Sequence, residues 1–296
     1  MSERNEGVYV NMSMIEPEFQ QNLSYTNPIN SWEIENTRHK SEKGLFILCV
    51  ISSFLVVLFL LWDAFIAGGL IGGLIGMIFF GGIFLLFLFI FLYKMYARTR
   101  AYSVKVSEKN FPEIYQKSVE FAGKLGMEKV PAVYVEQQNG MINAFATAVI
   151  GKRYIGINAE IVDIAYMEDK DFEPVYFVLA HELAHHYFKH TSISTILLTF
   201  FGMIVPVLGS AYSRSREYSC DRLAQLLLEK ECAREAMILS AGRHLYKHVD
   251  LDDYIDNAKT ERGFGIWLMN LVASHPIPLK RIAALTDPER KSGKLF

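Results

Sequence analysis

Tyr176 to His190 reads YFVLAHELAHHYFKH. Its apolar residues recur at helical spacing, and Tyr176, Leu179, Leu183 and Tyr187 form a stripe suited to a core. On the helix so predicted, His181 and His185 stand one turn apart on a different face, the separation at which two imidazoles can share a tetrahedral metal ion. Glu182 lies between them along the chain, placed to exchange a proton with water on that ion without being a ligand. His186 and His190 add imidazoles nearby, but the four-residue spacing selects His181 and His185.

A hydrolytic metal centre of this kind takes a third protein ligand and leaves one position for water. SRSREYSCDRLA, Ser213 to Ala224, is the best source of it. Glu217 and Asp221 are one helical turn apart there, so Glu217 can ligate while Asp221 accepts the Nδ1 proton of a ligand histidine. Without HELAHH the same acids would read as a solvated pair balanced by Arg214, Arg216 and Arg222. The constellation implies one bound Zn2+ and hydrolysis by a metal-activated water.

Outward from these segments the chain becomes strongly apolar. LFILCVISSFLVVLFLLW, Leu45 to Trp62, carries no charge and as a helix would cross roughly 27 Å, close to a hydrocarbon core. After Asp63, the uncharged stretch Ala64 to Tyr93 predicts a turn and a second crossing. Gly68, Gly72 and Gly76 recur at four-residue spacing, suited either to close helix approach in lipid or to a flexible turn. Arg38, Lys40 and Lys43 precede the hairpin, Lys94, Arg98, Arg100 and Lys105 follow it, and the connection has no Lys or Arg; both ends are therefore expected on the cytoplasmic side of a cell inner or plasma membrane. This divides the chain into a polar, mobile tail (1–43), a transmembrane hairpin (44–96) and a polar domain (97–296).

The 296 residues carry 30 basic and 32 acidic side chains for a formal charge of −2, so a nucleic-acid partner is not expected. Three scattered cysteines, Cys49, Cys220 and Cys232, suggest no disulfide framework and fit a reducing compartment. The late start of the first apolar run predicts no cleaved signal.

Within the polar domain, Pro112 to Gly126 predicts a helix opened by proline and closed by glycine. AVYVEQ, INAFATAVI and KRYIGIN, separated by QNG and GK, predict short strands joined by hairpin turns. Helices are then predicted over Glu173–His190, Arg214–Lys230, Cys232–Lys247, Glu261–Ala273 and Pro278–Leu285. The apolar run Ile193 to Leu208 separates His185 from Glu217. A single crossing would place the ligands on opposite sides of a bilayer, and two would need roughly forty residues. It must return to the side it left, either touching or dipping into lipid near Pro206, with contact at the lipid surface favoured, or covered by the protein itself.

Together HELAHHYFKH, SRSREYSCD, NAFATAVIG and SHPIPLKRIAAL resemble the HtpX-like membrane metallopeptidases, zinc gluzincins distantly related to the CAAX prenyl protease. The resemblance covers about Val104 to Leu285. It implies a mainly helical α+β fold: a zincin-type metalloprotease domain with a small antiparallel β-sheet behind a transmembrane hairpin. It implies His181, His185 and Glu217 as zinc ligands, Glu182 as base and Asp221 at the family's second acidic position. Asn143, Ala144 and Phe145 match a segment that implies a substrate-pairing edge strand, or else a plain hairpin strand. His275 and Arg281 match late positions where either can polarise the scissile carbonyl or steady Glu217, with a structural role favoured for Arg281. Cys220 departs from a small residue common there and either contacts the site or packs. The implied partners are protein or peptide substrates and the lipid bilayer; oligomeric state is left open. Cleavage of membrane or misfolded proteins is the leading expectation. Processing of one lipidated or secreted precursor, or a non-catalytic membrane scaffold, are the alternatives.

Overall fold

The computed structural model describes residues 27–137, 144–149, 152–168, 170–261 and 263–287. The two apolar runs form helices α2, Glu42–Gly69, and α3, Ile71–Tyr102, each long and apolar enough to cross a membrane. They meet at Gly69, whose φ of 65° suits glycine alone. Gly73 comes back against the backbone of Ala64 and Phe65, so the chain reverses there. A side chain at Gly72 or Gly76 would meet nothing among the described residues, so no close contact within the chain requires glycine at either position. Phe54, Phe59, Ile66, Ile78, Phe80 and Phe87 are exposed along the hairpin, an apolar surface that lipid covers without cost.

Helix α1, Ser31–Thr37, precedes the hairpin. Ile34 on it is only 2% exposed and belongs to the main core, and the His39 amide donates to Ser219 Oγ. The last part of the segment expected to be a mobile tail is therefore packed from α1 onward, because Ile34 is an apolar anchor amid polar residues. Trp32 is exposed, and Tyr25 lies outside the described residues.

The sheet contains β1 (Val104–Lys105), β2 (Ala132–Glu136), β3 (Ala144–Val149) and β4 (Lys152–Asn158) in the order β1-β2-β4-β3. The expected antiparallel sheet is corrected to a mixed one: β4 pairs parallel with β2 and antiparallel with β3. No hairpin joins β2 to β3. Every residue from Tyr154 to Asn158 is buried, the near-continuous burial of a central strand with neighbours on both sides. One sheet face meets α3 through Tyr134, Tyr154, Leu92 and Tyr96. The other meets the main core, where α4 (Pro112–Lys124), α5 (Ala159–Asp163) and α6 (Glu173–Tyr187) pack. Helix α6 is buried from Pro174 to Ala184 except at the half-buried Tyr176, as a central helix must be.

The third apolar run forms α7, Ile193–Ile204, capped by Ser192, whose hydroxyl accepts from the Thr195 amide. Its Gly202 amide donates to Ser53 Oγ at 2.8 Å, and Phe200 meets Phe84 edge-on at 4.8 Å. It thus packs on both hairpin helices. The chain turns at Val205–Val207 and returns as α8, Leu208–Leu228, whose Tyr212 ring lies 6.1 Å from that of Phe46. Glu42 to Ser53 is eleven residues, so the α7–α8 turn stands about 16 Å along α2 from its first residue. Helices α9 (Ala233–Ala236), α10 (Ile238–Leu245), α11 (Leu251–Thr260), α12 (Phe264–Val272) and α13 (Pro278–Leu285) complete the domain.

Candidate metal centre and cleft

Helices α6 and α8 pack side by side and bring HELAHH against Glu217 and Asp221. His181 Nε2 and His185 Nε2 are 3.3 Å apart, and each is 3.4 Å from a different Glu217 oxygen. Ligands at about 2.0–2.1 Å from a tetrahedral zinc ion lie about 3.3 Å from one another. The three groups therefore fit Zn2+ with little rearrangement. Burial alone would raise the Glu217 carboxyl, but hydrogen bonding from His181, His185 and His275 holds it well below the usual carboxylate range. It is the ionised ligand such a centre needs.

Cys220 offers a sulfur in the same neighbourhood, with its Sγ and a nitrogen of each of His181 and His185 all within 4.8 Å of one another. Burial, aided by Glu217 and other acids, pushes its thiol well above the ordinary range. The Glu217 oxygens stand 3.4 Å from the two histidine nitrogens, and two histidines with a glutamate are a donor set that hydrolytic zinc sites use, which favours Glu217.

Asp221 Oδ1 accepts from His181 Nδ1 at 2.9 Å, which leaves Nε2 free to face the ion. Arg281 grips Asp221 with two bonds of 2.7 Å, from Nε and Nη2. Burial would raise Asp221, and the Arg281 charge brings it below its ordinary value. The ring of His181 is thus set by a carboxylate that is itself set by an arginine on α13. Arg281 Nη1 stands 3.8 Å from Glu217, beyond a hydrogen bond.

Glu182 is buried. Burial first, and the Glu217 charge after it, push its carboxyl up to about 7 despite the opposing His181 charge. An acid poised there can both take and return a proton near neutral pH. It opens into a cleft of about 380 Å³ that Ala144, Phe177, His181, Glu217, His275 and Arg281 also line. His275 is 67% exposed at its mouth, with Nδ1 3.1 Å from Glu217.

Strand β3 is an edge of the sheet, paired to β4 alone. Of the expected substrate strand, Ala144 reaches the cleft, and Asn143 lies outside the described residues. The Phe145 side chain points the other way, over Gly156 and toward Tyr154, because successive residues of a strand face opposite sides. His190, set aside on spacing, sits behind His185 with the two Nδ1 atoms 3.1 Å apart.

The family model described as Peptidase family M48 matches residues 108–211 and 193–289, more than half of the chain. A curated relative, the Protease HtpX homolog of Fusobacterium nucleatum subsp. nucleatum, is 27% identical over 214 residues, covering 58% of this chain and 67% of that protein. No solved structure matches significantly. With a hairpin able to span a membrane and a protease family's domain behind it, the chain belongs to peptidase family M48 as an HtpX-like membrane metallopeptidase.

Proposed function

We propose that the chain is a zinc-dependent endopeptidase that cuts membrane or misfolded proteins at the cytoplasmic face of its membrane. The observation that carries this is the cluster of donor atoms: the Nε2 atoms of His181 and His185 stand 3.3 Å apart, and each lies 3.4 Å from one of the two Glu217 oxygens. Zinc held there would polarise the scissile carbonyl and lower the pKa of water to near neutrality. Glu182 takes the proton of the attacking water and passes it to the leaving nitrogen. Asp221, fixed by Arg281, keeps His181 in the ligating tautomer. His275, at the mouth, donates to the oxygen on which charge develops. The open edge of β3 pairs with an extended substrate backbone, Ala144 leaving room beside the cleft. The basic flanks of the hairpin support the cytoplasmic side. The packing of α7 and α8 on the hairpin supports substrates presented at the membrane.

The test compares purified full-length wild type with Glu182→Gln for bound zinc and for cleavage of an unfolded protein in detergent. Glu182→Gln is expected to keep its zinc and lose about 10²–10⁴-fold in rate. A wild type that holds no zinc and cleaves nothing under reducing, zinc-replete conditions would sink the proposal.

A further inference from the structure

His181 has its Nδ1 partner in Asp221; His185 has a different one. The end of α6 determines it. Lys189 adopts a left-handed φ of 61°, the Lys189 amide donates to the His186 carbonyl, and the His190 amide donates to the His185 carbonyl at 2.9 Å. This paired pattern ends many helices and folds the next residue back over the last turn. It lays the His190 ring against that of His185.

His190 Nδ1 is 3.1 Å from His185 Nδ1, and His190 Nε2 is 3.1 Å from Glu42 Oε1. One assignment of protons satisfies the whole row. His185 Nδ1–H donates to the bare Nδ1 of His190, and His190 Nε2–H donates to Glu42. His185 Nε2 is then left unprotonated toward the cluster of donor atoms, as zinc requires. Glu42 is the first residue of the membrane-crossing helix α2, yet it is 3% exposed and turned into the peptidase domain. Arg38 pairs with it, and the Ser219 hydroxyl donates to its second oxygen. Arg38 also stacks over Phe188 at 4.3 Å. Each ligand histidine thus ends on an arginine-held carboxylate: His181 on Asp221 and Arg281, His185 through His190 on Glu42 and Arg38.

We propose that His190 and Glu42 are positioning residues for the metal, joining His185 to the first turn of the membrane-crossing helix so that the anchor takes part in holding zinc. Glu42 is a charged flank of an apolar run in the sequence and 148 residues from His190; only the fold joins them. The proposal rests on the zinc reading of the site.

The test measures zinc affinity by chelator competition in the full-length wild type, His190→Ala, Glu42→Gln and the double variant. Visible spectra of the cobalt-loaded forms and melting of the metal-free forms are recorded alongside. His190→Ala is expected to bind zinc about 10–100-fold more weakly and to shift the cobalt bands. Glu42→Gln should move both in the same direction, and the double variant should be no weaker than His190→Ala, since both changes break one row. Unchanged zinc affinity and cobalt spectrum in a folded variant, with only the metal-free melting lowered, overturns the proposal. Glu42→Gln is close to isosteric and carries the test if His190→Ala does not fold. A wild type without zinc overturns the site itself, whereas zinc-binding wild type with unchanged variants overturns only the row.

Discussion

A carboxyl pushed up to about 7 by burial, as in Glu182, sets a direction for the pH dependence of cleavage. Below that value the group is protonated and cannot accept a proton, so kcat/KM should fall about tenfold per pH unit on its acid side. The positive charge of zinc pulls a neighbouring carboxyl downward, so the limb belongs at or below about 7. A rate constant flat between pH 4.5 and 8 would refute the role of Glu182. Asp221→Asn keeps the shape and removes the charge that fixes His181; zinc affinity should drop about 10–100-fold by chelator competition, and an unchanged affinity would refute the positioning. His181, Glu182, His185, Glu217 and Asp221 were legible in the sequence because one helical turn is a local rule. His190 and Glu42 were not, since their link depends on a helix end folding back and on an anchor returning beneath it. Which side of the strand Phe145 faces was not legible either, since a matched segment does not reveal it.

Among the elements, the hairpin and helices α4, α6, α8, α12 and α13 followed from periodicity and length, while α1, α11, the break of Cys232–Lys247 into α9 and α10, and the sheet order did not. Burial on both faces makes β4 a central strand, but a short apolar run does not tell which neighbours it will take. The close contact between α7 and the hairpin was also invisible. Gly68, Gly72 and Gly76 carry the expected spacing, yet the close approach occurs at Gly202, where an added Cβ would run into the Cys49 backbone. Gly202→Ala must push α7 off α2 and strain the Gly202–Ser53 bond. Overpacking of this kind costs about 1–3 kcal/mol, visible as a lower melting temperature in detergent. Gly72→Ala, with nothing in reach of the new methyl, is the control expected to melt like wild type. Equal melting of the two would show that α7 does not rest on the hairpin.

At the scale of the whole molecule, side chains from both sides of the boundary near residue 97 that composition suggests pack together. Helix α1 places Ile34 in the main core. Glu42 meets His190 and Ser219, and α3 covers one face of the sheet through Leu92 and Tyr96. Removing residues 1–96 would therefore open a cavity at Ile34, uncover Tyr134 and Tyr154, and strip α7 of the hairpin it packs on. Loss of one large aliphatic core side chain alone costs about 2–5 kcal/mol, a large part of the about 5–15 kcal/mol that holds a domain together. The truncated chain is expected to aggregate without detergent, or to remain compact with helical circular dichroism but no cooperative melting. A chain starting at Ala97 that is monomeric, melts sharply and binds zinc like the full-length protein would refute this. The hairpin would then be a tether, and the peptidase a domain independent of it.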